Sequence, residues 1–444
     1  MSQPLDIDAP PVAPPLSFAD RARNAAKSDF VRQVAETLGT RVLLIGVGVV
    51  TSVLAARVLG PEARGTFAVA MTIAGIGMQF GNFGLHASNT YFVSEDGSRL
   101  AGLTGNSLLV SFGFGIPATI LYWLLGQIFP SILPVQGTVL LLALLIVPFG
   151  LASMLLQNLL LGIQEIRAYN GIEIATKILG VVLLAALLIT KLVTIETVVA
   201  ATLAVTVATF GTVMYFLMRH TKGSLTCSMA VLKDHLRFGM KPYFSSLLFF
   251  LAMRVNVLVT QSILGDKQAG LYAIAMSMAD LLMMLPTTVG TIVFPKLVAL
   301  KEREEKWKLA RKTTRTIALI MLASCIAAGF LSESLLHLLY GSEFVPASPV
   351  FRALLPGVFA IAVQAVSVQY LNSLGFPLAP VIGWAVCAVF SLPVAIVLTS
   401  RFGIVGSALA YSSIAVLIAA IVGVLIVRDI STLPSGDRIE QGRS

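Results

Sequence analysis

The chain has 444 residues, 57% of them hydrophobic and only 12% charged, with a mean hydropathy of +0.88. Soluble domains carry about 25% charged residues, so this composition excludes a water-soluble globular protein. The net charge of +9 raises nucleic acid as a partner, but the placement of the charges makes nucleic acid unnecessary.

Residues 1–30 contain PLDIDAPPVAPP, which reads as a disordered tail without the short apolar core of a cleavable signal peptide. Ser28 and Asp29 offer caps for a short interfacial helix leading into the first span. Twelve apolar segments then approach or exceed the roughly 20 residues that cross a bilayer. They lie near 38–58, 66–92, 103–128, 136–161, 169–190 and 195–218, then 242–263, 270–295, 314–331, 349–373, 378–399 and 404–427. The basic segment 219–241 (RHTKGSLTCSMAVLKDHLRFGMK) separates them six and six. The expected class is an all-α polytopic membrane protein of about twelve transmembrane helices in two lobes. Its divisions are a tail 1–30, a lobe 31–219, a linker 220–238, a lobe 239–430 and a tail 431–444. Residues 229–238 mix apolar and basic side chains and are expected to lie on the cytoplasmic lipid surface.

With the N-terminus in the cytoplasm, 22 of the 31 Lys and Arg fall in cytoplasmic segments. Five (Arg57, Arg64, Lys191, Lys267, Arg401) fall on the other side, and four (Arg41, Lys177, Arg254, Arg352) lie within spans. Positive charge accumulates on the cytoplasmic side of membrane proteins, so both termini are expected there. The three cysteines lack the spacing of a disulfide framework, and the four histidines lack metal spacing. Neither a metal, a cofactor nor a catalytic residue is expected.

A duplication organises the chain. Residues 59–74 (LGPEARGTFAVAMTIA) and 264–279 (LGDKQAGLYAIAMSMA) share seven identities without a gap, 205 positions apart. Both copies sit where a short polar turn enters a long apolar helix. Duplicated halves in a membrane chain mark a transporter, and an even number of spans per half predicts an axis along the membrane normal. Helix breakers recur too: Gly75, Gly77, Gly81 and Gly84 in the second span, Pro286 and Gly290 in the eighth. They suit close packing of small residues or bends that line a cavity.

Charges at mid-membrane depth are costly and mark function or pairing. Arg254, near the middle of the seventh span, is the leading substrate contact, with Asp280 of the eighth span as substrate contact or ion-pair partner. Arg41, one turn inside the first span, either attracts substrate or snorkels to the surface. Arg57 and Arg64 flank the hairpin between spans one and two as gate or interface anchor. Glu173 precedes Lys177 by four residues, a spacing that predicts a helical ion pair. Gln79, Asn82, His86 and Asn89 follow helical steps as one polar stripe, expected to face the cavity or else to bond neighbouring helices. Asn256, Gln261, Gln364 and Gln369 are further polar candidates, and Trp123, Trp307 and Trp384 read as packing residues.

The turn LGPEARGTFAVA, the segment LNSLGF (371–376) and RFGIVGSALAYSS (401–413) resemble the polysaccharide and oligosaccharide flippases of the multidrug/oligosaccharidyl-lipid/polysaccharide exporter superfamily. The resemblance covers about residues 31–428. It implies translocation of a polyprenyl-diphosphate-linked glycan across a bacterial inner membrane, by alternating access, for surface polysaccharide synthesis. It also implies cations along the first, second, seventh and eighth helices, a pattern that Arg41 and Arg254 match by helix. Related lipid II flippases usually have fourteen spans, and this chain has no room for two more. Bilayer lipids, polysaccharide polymerase and assembly proteins are the further partners implied. The alternatives are a drug/cation antiporter, which would favour acidic cavity residues, a glycan polymerase or ligase, which would need a substantial outer loop, and a membrane scaffold without transport. The longest outer loop expected is 332–348.

Overall fold

The structure, a computed structural model, describes residues 29–129, 133–221, 225–375 and 377–431; the side chains of 29–45 are outside the described set. The helices are α1 (Asp29–Gly81), α2 (Leu85–Glu95), α3 (Leu100–Ile128), α4 (Gly137–Gly162), α5 (Ile166–Ile189) and α6 (Ile195–His220). There follow α7 (Met229–Leu264), α8 (Asp266–Ala299), α9 (Arg303–Tyr340), α10 (Ser348–Asn372) and α11 (Leu378–Ser431). Among the described residues, ten helices are long and apolar enough to span a membrane. Two of them each hold two spans, joined at Gly60 in α1 and at Gly403 in α11, which reconciles ten helices with twelve spans. The protein is an all-α polytopic membrane protein.

The joint shows why the repeat keeps its glycines. Gly60 has φ 69° and ψ 175°, and its counterpart Gly265 has φ 82° and ψ 176°. That region is essentially closed to side chains, so both halves turn the chain with the same residue. One turn further on, Gly65 and Gly270 pack against each other's helix. A Cβ on Gly65 would stand 1.8 Å from the Asp266 carbonyl oxygen, and one on Gly270 would stand 1.8 Å from that of Pro61. Pro61 and Asp266 are also 205 apart, so the contact is reciprocal, as across a two-fold axis. Spans two and eight therefore face each other across the boundary between lobes. Buried Val69, Ala70 and Ile73 join one core with Tyr272, Ile274 and Ala275. Within each half the fourth span, α4 or α10, is the most deeply buried.

Three expectations are corrected. The second span is not continuous over 66–92: α1 ends at Gly81, and positive φ at Phe83 and Gly84 breaks the helix before α2. The linker boundary at 238/239 falls inside α7, which runs unbroken from Met229 into the seventh span. Nor is 332–348 a loop. α9 continues to Tyr340, and 342–347 form a 3-10 turn. The tails 1–28 and 432–444 lie outside the described residues.

The N-terminal part of α7 docks on the first lobe through rings. His235 stacks on Phe92 at 4.1 Å and Phe238 on Tyr91 at 4.6 Å. His235 is buried with neither ring nitrogen bonded. Burial, and then the nearby Arg99, lower its pKa to about 4 against a smaller opposing pull from Asp234. An undocked His235 takes its proton near the usual 6.5 and the docked one only near 4, so docking weakens as pH falls between those values. Hydrogen exchange across 229–239 is expected to accelerate from pH 7.5 to pH 5, and His235→Phe is expected to abolish most of that change.

Candidate functional site: a charged recess between the lobes

Two adjoining recesses open at the boundary. The larger, about 510 Å3, is walled by α1, α5, α6 and α8 and includes Thr51, Ser52, Arg64, Lys177, Ser277 and Asp280. The smaller, about 300 Å3, lies among the second, seventh and eighth spans and includes Arg64, Thr72, Gly75, Arg254, Ser277 and Asp280. Arg64, Phe67, Ser277 and Asp280 border both. The smaller recess straddles the repeat: Ala68, Met71, Thr72 and Gly75 on one wall face Ala273, Met276, Ser277 and Asp280 on the other, each pair offset by 205. Duplication sets the symmetric walls, and substitutions set the charge. Asp280 stands opposite Gly75, and Arg64 corresponds to Ala269.

Arg254 Nη2 donates to Asp280 Oδ2 at 3.3 Å, so the mid-span charges are paired. The guanidinium of Arg64 lies over the Phe67 ring at 5.2 Å, and its buried Nε has no hydrogen-bond partner. An orphaned buried donor costs about 1–3 kcal/mol, which an incoming acceptor would relieve. Lys177 overturns the expected helical pair. No ion pair joins it to Glu173 among the described residues; Glu173 accepts from Tyr169 Oη at 3.3 Å, while Lys177 lines the larger recess. Among the described residues, three cations and one carboxylate line these walls, a net of two positive charges. Hydroxyls of Thr51, Ser52, Thr176 and Thr202 surround them.

The polar stripe lies elsewhere. Gln79 donates to Ser246 at 3.0 Å, Asn82 accepts from the His86 backbone at 3.2 Å and bonds its ring at 2.7 Å, and Asn89 donates to Ser107 at 2.8 Å. None of the four lines either recess: Gln79 is turned to the seventh span, and the break at 82–84 takes His86 and Asn89 out of the register that aligned them with it. Asn256 is 1% exposed and sits two residues from Arg254. Positions i and i+2 point to different faces. Asn256 shares its face with Thr260, which donates to Ser407 of α11 at 2.8 Å. Gln261 donates to the Pro134 carbonyl at 3.1 Å, Gln364 is buried, and Gln369 donates to the Ala365 carbonyl at 3.2 Å. Trp384 packs on Phe249 and Trp307 on Tyr370. The side chain of Arg41 lies outside the described residues.

Arg57 bridges the lobes. Its Nε donates to the Leu339 carbonyl at 2.7 Å and a terminal nitrogen to that of Leu338, at the C-terminal end of α9. A cation at a helix C-terminus is worth about 0.3–1 kcal/mol. Arg57→Ala is expected to shift the lobes toward separation at this end by up to about fivefold in population. Spin labels at Leu192 and Phe402, both exposed, would report it as growth of a longer-distance component.

Residues 53–349 match a family described as "Polysaccharide biosynthesis protein". The chain belongs to this family. Among relatives of this polysaccharide biosynthesis protein is the lipopolysaccharide biosynthesis protein WzxC of Escherichia coli (strain K12), 24% identical over 331 residues. The match covers 70% of this chain and 63% of that protein, less than two thirds of the relative's length. The fold is similar to an inward-facing multidrug resistance MATE family transporter of the MOP superfamily, with a TM-score of 0.68, 16% identity, and coverage of 87% of this chain and 94% of that one. It is similar also to the lipid II flippase MurJ in an inward closed conformation, with a TM-score of 0.69, 16% identity, and coverage of 91% and 88%. At that identity the two likenesses establish the fold alone, which this family member shares with both structures.

Proposed function

We propose that the protein flips a polyprenyl-diphosphate-linked oligosaccharide across the bacterial inner membrane by alternating access, supplying surface polysaccharide synthesis. The observation that carries this reading is the pair of adjoining recesses whose described walls set Arg64, Lys177 and Arg254 against the carboxylate of Asp280. Sugar hydroxyls and a diphosphate cannot enter hydrocarbon unpartnered, since each unpaired polar group costs several kcal/mol there. A charged, hydroxyl-rich recess replaces water around the head group while the prenyl tail stays in lipid. The linker end, rich in Lys and Arg, is assigned to the cytoplasm. Arg41 is assigned the first attraction of the anion from that side. The diphosphate then takes Arg254 from Asp280 and accepts from Arg64 Nε and Lys177. Parting of Gly65 from Gly270, and release of Arg57 from α9, open the other end.

No phosphoryl bond breaks, so the reading needs no catalytic group. A negative-inside potential assists outward movement of an anion by roughly 2.3 kcal/mol per charge per 100 mV. A drug/cation antiporter would gather carboxylates where this recess gathers cations. A polymerase or ligase would need a large outer loop, and the segment expected to supply one is mostly helix. A polysaccharide polymerase and assembly proteins would then consume the delivered glycan.

The test is reconstitution into liposomes with a fluorescent polyprenyl-diphosphate disaccharide on one leaflet. Protein-dependent appearance on the other leaflet is expected. Exchange of a cationic dye for H+ or Na+, without glycan-lipid movement, would establish the antiporter instead. Binding of the glycan-lipid without translocation would leave a scaffold.

A further inference from the structure

α9 and α10 leave an apolar groove of about 600 Å3 between them on the outside of the second lobe. Leu322, Ile326 and Phe330 form one wall, and Leu355, Pro356 and Phe359 the other. Gly329 keeps it open, because a Cβ there would already stand 3.1 Å from Leu355 Cδ1. Phe330 is 83% exposed. On a membrane-spanning helix, such a ring faces hydrocarbon, and a groove beside it is filled by a lipid chain.

The groove has a length and a charged end. From Leu322 to Phe330 the helix rises about 12 Å, close to half of a hydrocarbon core of about 30 Å. One acyl chain of one leaflet therefore matches it. Arg352 borders the end nearest Gly341. It donates from Nε to the Gly329 carbonyl at 3.1 Å and the Ser332 hydroxyl at 3.0 Å, and from one terminal nitrogen to Glu333 Oε1 at 2.9 Å. The two side chains are 46% and 60% exposed. Among the described residues, the other Arg352 terminal nitrogen and the second Glu333 oxygen make no hydrogen bond. Glu333 sits just past the apolar stretch 314–331, where a bilayer-spanning helix would reach the head groups.

This pair is neutral in sum but bipolar. A lone phosphate would meet Arg352 and be repelled by Glu333. A phosphoethanolamine head offers an anion to the guanidinium and an ammonium with three donors to the carboxylate. We propose that the groove between α9 and α10 binds one phosphatidylethanolamine from the leaflet at the Gly341 end, its head held by Arg352 and Glu333. The groove shares no lining residue with the inter-lobe recess, so the inference stands independently of what the protein transports.

Native mass spectrometry of the detergent-purified full chain tests it, with phosphatidylethanolamine, phosphatidylglycerol and a polyprenyl phosphate in competition. The expected result is one retained phosphatidylethanolamine, favoured at least fivefold over phosphatidylglycerol. Glu333→Gln removes the ammonium's partner and is expected to bring that ratio close to one or reverse it. Gly329→Leu fills the groove and is expected to remove the bound lipid. Should that variant not fold, Glu333→Gln on the exposed surface decides. Equal retention of the two phospholipids by the wild type, an unchanged ratio in Glu333→Gln, or displacement by the polyprenyl phosphate would each overturn the proposal.

Discussion

Arg254→Ala is expected to lower glycan-lipid translocation by ten- to a hundredfold at matched protein abundance, and adding Asp280→Ala is expected to restore part of the loss. Arg254 is held by Asp280 at 3.3 Å and borders the smaller recess. A hydrogen bond to a charged group is worth about 1.5–3 kcal/mol, which sets the range, since 1.4 kcal/mol is about tenfold. The single substitution also leaves the Asp280 carboxylate unpaired and facing an anion. At 4 Å and an effective dielectric near 20, like charges repel by about 4 kcal/mol. Removing that carboxylate as well therefore helps. Asp280→Asn alone frees Arg254 for substrate: apparent affinity is expected to rise and turnover to fall, because tighter ground-state binding does not lower the barrier. Initial rates in vesicles separate these outcomes. Arg254→Ala within twofold of wild type would remove this residue from the transport path.

Gly65→Leu is expected to abolish transport by wedging spans two and eight apart. The clash is with backbone: a Cβ on Gly65 meets the Asp266 carbonyl oxygen at 1.8 Å, with the Gly270 amide nitrogen at 2.8 Å. No rotamer relieves it, so the helices must separate or the protein must lose stability beyond the usual 1–3 kcal/mol of overpacking. Gly270→Leu is expected to act alike, since the contact is reciprocal, and the pair together should cost less than the sum because each separates the same surfaces. Labels at Leu192 and Phe402 should show one long distance in either variant. Gly171→Ala is the control: no atom lies within 4 Å of a Cβ there, and its transport should match wild type. Normal transport by Gly65→Leu would show that the contact need not close.

Much of this architecture was legible in the chain. Apolar runs of bilayer length marked the spans, because hydrocarbon admits only helices with satisfied backbones. The 205-residue offset announced the shared turn, realised at Gly60 and Gly265, whereas the contact of spans two and eight came only from packing. Depth along neighbouring helices was enough to suggest Arg254 and Asp280 together. The places of Lys177, expected to pair with Glu173, and of Arg64 on the recess walls escaped the sequence for one common reason. Spacing to Glu173, or nearness to a turn, describes only one helix, whereas these side chains line a space made by several.

The polar stripe took the second of its two readings, with Gln79 and Asn89 bonding neighbouring helices. Its periodicity presumed one unbroken helix, and positive φ at Phe83 and Gly84 rotates the residues beyond them onto other neighbours. Sequence by itself determined what crosses the membrane and that two like halves do so, because solvent transfer and covalent repetition are properties of the chain alone. Which charges meet in the recess was decided only by tertiary packing, because a helix fixes which side chains share a face and its neighbours fix what that face confronts.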